Sequence, residues 1–393
     1  MSIVVISTVR VTKFVEGGGH FWVYWQYVQA LRHLGFDVYW LERVRSTGDP
    51  TRDATSLATF TSRMEHYGLA GKLLLYSRPE PGHDGGSGAC TFVDMSTHEA
   101  EAIMRRADLL LNFDYGLDGA LLANFRRTAL VDIDPGLLQF WMASREVRVA
   151  SHDVYLTTGE TVGTPTARFP DCGLRWIHIR PPVCLECWPY SYAPGCQTFT
   201  TVSSWWSTDW FTYGGEHYDN NKRGAFLEFV ELPRQTSQRL ELALWFGEKN
   251  VPARFFGDGD QQDRRLLESY GWHVRHSREV AATPETYQTY IQGSRGEFSC
   301  AKPSYRRLQT AWVSDRTLCY LASGKPVVVQ DTGPSTYLPN GEGMWRFTML
   351  EEAVEALAAV NHDYARQCRA ARALAEAHFD ARRILRDVLD IAL

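Results

Sequence analysis

The sequence predicts an α/β protein of two halves, each built on a parallel sheet, facing one another across a cleft and finishing in C-terminal helices. Three observations predict it. The 393 residues suffice for two domains at roughly 150 residues apiece. Short apolar, strand-like runs alternate with stretches of helical spacing in two successive series. Between the series lies an interval, about residues 160–197, crowded with Pro, Gly, Cys and Trp, where Arg180-Pro181-Pro182 and Trp188-Pro189 break any long element.

The first series opens on Ile3-Val4-Val5-Ile6, a buried-strand run. Gly17, Gly18 and Gly19 then make a glycine-rich turn that His20 ends. Phe21 to Leu34 has apolar residues at helical spacing, and Gly35 is placed to close that helix in a left-handed cap. Phe36 to Leu41 resumes as a strand. Strand, glycine loop, helix and strand in succession make the parallel α/β unit. Leu109 to Leu111, Ala129 to Val131 and Val154 to Leu156 continue the pattern.

The second series starts at Phe199-Thr200-Thr201-Val202, followed by a helix from Lys222 through Phe226 and Val230. Arg254-Phe255-Phe256 is read as a strand running into the turn Gly257-Asp258-Gly259, and Trp272 to Val274 as a short strand. Pro284 starts a helix through Tyr287 and Ile291. Glu297 to Ser299, a helix from about Asp315 to Ser323, and the strand Pro326 to Val329 complete the alternation before three Arg- and Ala-rich helical stretches. The division expected is a Rossmann-like domain over 1–195, a second over 196–375, and a helix at 376–393 able to pack back on the first.

Composition narrows the function classes. With 44% apolar and 22% charged residues, the chain has ample core-forming sequence and is not a disordered polymer. No apolar run is long enough to span a bilayer, and Met1 leads straight into a strand without a secretory pattern, so a cytoplasmic protein is expected. Net charge is −5 with no basic block. That speaks only weakly against a nucleic-acid partner, because a local basic groove can hide in an average. Among eight cysteines only Cys184 and Cys187 are closely spaced, flanked by Cys172 and Cys196. Zinc held by these four stays open, although a second close pair is missing. A thioredoxin-like redox pair would follow a strand and open a helix, whereas Pro181-Pro182 precedes this one; incidental linker cysteines are the favoured reading.

The strongest local signal runs from Ser314 to Val329. Ser314 or Asp315 can cap a short helix that Gly324 ends, and Lys325-Pro326 launches a buried strand. The unpaired N–H groups and positive dipole end of such a helix suit a diphosphate. Asp315 opposes that attraction unless it meets Arg316 or a ligand hydroxyl. Gln330, Asp331, Thr332 and Gly333 follow the strand, where parallel sheets place ligand-binding loops.

Together these segments resemble the donor-binding half of GT-B-fold glycosyltransferases. Asn221-Lys222-Arg223-Gly224 is similar to the family's Lys-Gly element that contacts donor phosphates, and Phe256 to Gly259 to its Gly-x-Gly strand end. Trp272 to Ser277 lies where the family cradles the base, and Gly17–Gly19 where its acceptor domain begins. The resemblance implies a GT-B-like fold, a nucleotide-diphosphate sugar as co-substrate with no cofactor, and a hydroxyl-bearing acceptor. It assigns donor contacts to Lys222, Glu297, Ser314, Asp315, Arg316, Gln330, Asp331, Thr332 and Gly333. It also departs from the family. Where retaining members carry two glutamates, this chain has Ala311 and Cys319; Glu297 is the nearest substitute, and the His-Cys-Gly of some inverting members is absent.

The chemistry implied deprotonates the acceptor hydroxyl as it attacks the anomeric carbon and neutralises the leaving diphosphate. A histidine near its usual pKa of about 6.5 suits the first task. His20 matches the base that inverting GT-B enzymes place on this loop, with Asp114 preferred to orient it over Asp132 and Asp134. Lys222 and Arg316 can balance the leaving charge, so metal independence is expected; Asp132-Ile133-Asp134 has metal-site spacing but lies in the acceptor half. Plainer roles compete. Three glycines make a tight turn, Asp134-Pro135-Gly136 turns by itself, and the aromatics at 21–27 and 205–213 can pack one half on the other instead of stacking on a sugar. A nucleotide-sugar epimerase and a non-catalytic carbohydrate- or partner-binding protein are the rival functions. The acceptor stays open between a natural product, a glycan and a nucleic-acid base.

Overall fold

The computed structural model describes residues 2–78, 90–206, 211–246 and 259–393. The first half contains β1 (Ile3–Thr8), α1 (Gly18–His33), β2 (Asp37–Arg43), α2 (Pro50–His66), β3 (Leu73–Ser77), β4 (Thr91–Phe92) and α3 (Thr97–Arg106). It continues with β5 (Leu109–Asn112), α4 (Gly119–Leu122), β6 (Thr128–Asp132), α5 (Leu137–Ala143), β7 (Val154–Thr157) and β8 (Trp176–His178). These strands form one sheet in the order β4-β3-β2-β1-β5-β6-β7-β8. Its pairs are parallel except β3 with β4.

The second half contains β9 (Thr198–Ser204), β10 (Phe211–Tyr213), β11 (Glu216–Tyr218), α6 (Lys222–Leu227), α7 (Leu232–Gln235), β12 (Arg239–Trp245), α8 (Gly259–Ser269) and β13 (His273–His276). After these come α9 (Arg278–Ala281), α10 (Pro284–Gln292), β14 (Gly296–Ser299), α11 (Pro303–Leu308), α12 (Asp315–Ala322), β15 (Val327–Gln330) and β16 (Met344–Phe347). The chain closes with α13 (Leu350–His362), α14 (Tyr364–His378) and α15 (Ala381–Ala392). The second sheet, all parallel, has the order β13-β12-β9-β14-β15-β16, and β10–β11 is a separate hairpin.

In each sheet the strand order reverses once, between β1 and β5 and between β9 and β14. At such a reversal the flanking loops diverge and leave a crevice beyond the carboxyl ends of the strands. The apolar runs of β1, β5 and β15 are buried on both faces, as central parallel strands must be. Gly35, at φ +88°, follows α1 in the left-handed cap the sequence predicts. The strand and turn read at 254–258 lie outside the described residues.

α1 explains its own crowd of rings. Phe21, Trp22, Tyr24, Trp25 and Tyr27 are all buried, because the helix is covered on every side. Phe21 stacks on Trp25 at 5.2 Å and faces Trp40, while Tyr27 meets Phe113 edge-on within the first half. On the opposite side Trp22 packs on Trp188 and donates its indole N–H to Pro284 O at 3.0 Å. Trp22 thus packs half against half, while the ring contacts of the others lie within the first half.

Glycines permit the closest approach. A Cβ on Gly18 would stand 2.2 Å from Thr283 O, and one on Gly19 2.9 Å from the Tyr287 ring. What approaches the glycine backbone is the second half of the protein. Gly18→Ala is expected to cost about 1–3 kcal/mol in urea unfolding, because neither backbone can retreat; an unchanged midpoint would show the contact to be loose. α15 returns to the first half: Ala381 N–H donates to Val183 O, and Arg127 Nε–H to Ala392 O.

Candidate functional site

The loop from β1 to α1 is built around a carboxylate that the sequence does not single out. Glu42, buried in β2, accepts from Thr8 Oγ1, from the N–H and Oγ1 of Thr12, and from Trp40 Nε1, all at 2.7–3.0 Å. Burial raises its pKa although those four donors oppose the rise. This anchor fixes the path of the loop toward His20.

His20 hydrogen-bonds Val9 O through Nε2 at 2.7 Å. A carbonyl only accepts, so Nε2 carries the proton and Nδ1 is the nitrogen that can take one. Burial lowers the His20 pKa below its usual value; the Val9 bond and Asp134 work the other way, and Arg10 adds to the lowering. The ring is thus a neutral base at pH 7. Asp114 does not orient it. Its Oδ1 accepts the N–H of Gly116 at 3.0 Å, within its own turn, and its pKa is raised by burial. The carboxylate whose field reaches His20 is Asp134.

Asp134 stands where the halves meet. Its Oδ2 accepts Tyr115 Oη–H from the first half and its Oδ1 accepts Tyr305 Oη–H from the second, both at 3.2 Å. Asp132, beneath it, is fully enclosed and accepts from Gln139 and Thr157 at 2.9 Å. Burial raises its pKa to about 7. Its role is to hold the end of β6. The paired spacing of Asp132 and Asp134 therefore serves two neighbouring networks, one internal and one facing the second half.

In the second half the crevice between β9 and β14 is occupied by an arginine. Arg316, in the first turn of α12, spans the strand reversal: Nε–H donates to Glu297 Oε1, one terminal nitrogen to Val202 O and the other to Ser299 Oγ, each at 2.7 Å. Its partner is Glu297 and not Asp315. Burial works against the guanidinium charge, but Glu297, with Tyr287 and Tyr320, more than offsets it and the pKa lies above the ordinary arginine value. Glu297 Oε2 has no hydrogen-bond partner among the described residues. Asp315, beside Arg316, has its pKa raised by burial, with Arg316 opposing and Glu297 and Asp134 reinforcing the rise.

Around this pair lies a cavity of about 30 Å³, lined by Lys222, Cys300, Ser314, Arg316, Gln330, Thr332 and Arg346 among others. Lys222 opens α6 and donates to Cys300 O. Burial, with Arg316 nearby, lowers its pKa to about 7. Gln330 accepts Ala301 N–H at 3.0 Å, leaving its buried Nε2 without a partner among the described residues. Asp331 is engaged by Arg346 at 2.6 Å and by Gly333 N–H; Thr332 Oγ1 donates to Trp312 O. Gly333 sits at φ +127° with Gln309 against it: a Cβ there would be 2.6 Å from the Gln309 carbonyl carbon. Of the sequence-picked donor residues, Lys222, Ser314, Arg316, Gln330 and Thr332 share this cavity, and Glu297 reaches it through Arg316.

A second, larger cavity of about 520 Å³ lies between the halves, lined by Lys13, Phe14, Arg52, Thr55, Arg63, Trp245 and Thr283 among others. It adjoins the His20 loop, since the rings of Phe14 and His20 are 6.3 Å apart. Sequence reading missed it because α2 and the end of β12, which supply its far walls, carry no motif. Cys172 and Cys196 stand apart from Cys184 and Cys187: Cys172 donates to Gln139 O and Cys196 to Thr198 O.

No family model matches the chain, and comparison with curated proteins finds no match. Solved structures do match along its whole length. An alpha-glucosyltransferase in complex with UDP and a 13-mer DNA containing a central A:G mismatch has 12% identity and a TM-score of 0.59, over 100% of this chain and 99% of that one. Sucrose-phosphate synthase from Thermosynechococcus elongatus gives 12% identity and 0.57, over 100% and 98%. HepE from Anabaena, in complex with UDP and glucose, gives 13% and 0.57, over 100% and 99%. Two sheets, parallel but for the edge pair β3–β4, each with one strand reversal and with a shared core between them, give this chain the GT-B fold of those glycosyltransferases.

Proposed function

We propose that the protein transfers a sugar from a nucleotide-diphosphate donor to a hydroxyl-bearing acceptor held between its halves. The observation that carries the reading is the cluster at the β9/β14 reversal: a buried lysine, an arginine held by the buried Glu297, and the N-terminus of α12 all line one cavity. In this reading Lys222, Arg346 and the free N–H groups of Ser314 and its neighbours take the diphosphate charge, and Gln330 Nε2 donates to a ligand oxygen. The leaving charge is met by fixed cations and dipoles, so the proposed reaction uses no metal. His20 Nδ1 removes the acceptor proton as the hydroxyl oxygen bonds to the anomeric carbon and the bond to the diphosphate breaks. Asp134 favours the imidazolium so formed. The 520 Å³ cavity is in the size range of small-molecule sites and gives the acceptor its room.

The ligands bound in those similar structures, UDP and glucose among them, support a nucleotide-sugar donor. The test is to incubate the protein with UDP-, GDP-, dTDP- and ADP-sugars and an array of hydroxyl acceptors. An acceptor whose mass rises by one glycosyl unit, with release of the nucleoside diphosphate, supports the reading. Interconversion of the donor sugars without an acceptor would replace it with an epimerase.

Lys222 makes a separate prediction. An ammonium held near pH 7 by burial regains its proton when a diphosphate arrives beside it. Calorimetry at pH 8 in buffers of different ionisation enthalpy is expected to show uptake of about one proton per diphosphate bound. Lys222→Met should abolish that uptake and weaken binding. In the free protein the pH dependence has the opposite sign: between about pH 7 and 10.5 the unfolded chain holds a proton that the native lysine has lost, so this residue's contribution to stability improves as pH rises.

A further inference from the structure

The Cys184–Cys187 pair plays no part in the proposed transfer, and the structure gives it chemistry of its own. Cys187 N–H and Trp188 N–H both donate to Cys184 O, closing a tight turn. The turn brings the two sulfurs of these free cysteines to 2.7 Å, within reach of a bond between them. Cys184 is buried, while Cys187 is partly exposed. From these contacts we propose that Cys184 and Cys187 form a redox-active dithiol that closes reversibly to a disulfide by exchange with a disulfide-bearing partner.

The other reading of the cluster is a metal site, because ligand atoms of His33, Cys184 and Glu186 lie within 4.8 Å of one another. Arg382 opposes it, occupying the position electrostatically by pairing with Glu186 at 2.7 Å and donating to His33 Nδ1 at 3.3 Å.

Cys187 thiolate attacks one sulfur of the partner disulfide, whose S–S bond breaks and releases one thiolate. Cys184 gives up its proton and attacks Cys187 Sγ in the mixed disulfide, releasing the second thiol. Two electrons pass from the protein to the partner. The roles follow from geometry: Cys187 is the more exposed residue of the pair, and Cys184 S–H donates to Glu186 Oε2 at 3.5 Å. The contact with Cys184 and a hydrogen bond from Gln29 lower the Cys187 pKa while burial opposes. The contact with Cys187 and burial push Cys184 up. Attacking and resolving sulfurs of unlike acidity are what exchange requires.

The turn is also wired into both halves. Cys184 N–H donates to Gln26 Oε1 on α1 at 2.7 Å, and the amide nitrogen of Gln26 points at Cys319 Sγ on α12, 3.8 Å away. Gln288 on α10 donates to Cys187 O. The pair thus sits at the join between the halves.

The test does not depend on the proposed transferase activity. Full-length protein is equilibrated with oxidised glutathione, alkylated and peptide-mapped. The expected result is a single linked species, lighter by two hydrogens, in which Cys184 and Cys187 escape alkylation together and return to alkylation after dithiothreitol. Cys184→Ser should trap glutathione on Cys187, and Cys187→Ser should leave Cys184 unmodified. If either variant fails to fold, the wild-type map decides alone. Alkylation of both thiols at every glutathione ratio would overturn the proposal. So would one equivalent of zinc that must be chelated before either thiol reacts.

Discussion

Arg316→Ala is expected to lower stability by about 3–5 kcal/mol in urea denaturation, because it leaves Glu297 buried and without its counter-ion. Arg316 has three protein acceptors, on β9, on β14 and on the Glu297 carboxylate, and so ties α12 to the strand reversal. A loss of that size is a large share of the roughly 5–15 kcal/mol that holds a domain. Arg316→Lys should not rescue it, since a single ammonium cannot reach three acceptors set out for a planar fork. Arg316→Ala combined with Glu297→Gln should recover much of the loss, because the remaining cost is then unpaired dipoles and not an isolated charge. A double variant as unstable as the single one would mean that α12 is held by packing, with the ion pair incidental.

His20→Ala is expected to reduce turnover about 10²- to 10⁴-fold, the usual worth of a positioned general base. Donor affinity should stay within a factor of about two, because His20 belongs to the first half and the donor cavity to the second. The pH profile carries an independent sign. Only the neutral imidazole accepts a proton, and burial has moved its pKa below 6.5. The rate should therefore climb with pH through that lowered value and be level by neutrality. Asp134→Asn removes the charge that raises the His20 pKa, so it should shift the acid limb to still lower pH while reducing the plateau. Wild-type turnover in His20→Ala with a proven acceptor would remove the base from the mechanism.

How much of this was legible in the sequence depends on whether the signal was local. β1, α1, β14, α12 and β15 were readable because apolar runs, a glycine cap and a Ser-Asp helix start lie within a few residues of one another. β12 was missed: Arg239-Leu240-Glu241-Leu242-Ala243-Leu244-Trp245 is rich in helix formers, and only its place between β9 and β13 makes it a strand. α2 and β8 escaped for similar reasons, the latter inside a Pro- and Cys-rich stretch that hid three paired residues. Within the site, residue types were legible and partners were not. The sequence offers Asp315 as the neighbour of Arg316, but the β9/β14 reversal supplies Glu297. It offers three aspartates for His20, and only the fold shows that Asp114 turns back on its own loop while Asp134 faces the second half. Glu42 carries no motif, since its meaning comes from four donors brought by β1, β2 and the loop.

The central claim is a nucleotide-sugar site at the carboxyl edge of the second sheet, and ligand-dependent stability tests it most directly. A thermal-unfolding panel of UDP, GDP, dTDP and ADP, each free and as its sugar, is run against wild type and Lys222→Met. At about 100 times its dissociation constant the right nucleotide should add roughly 2.7 kcal/mol to the wild type and much less to the variant. Equal stabilisation of both proteins would place the ligand elsewhere, and no response from a folded wild-type sample to any of these diphosphates would contradict the account.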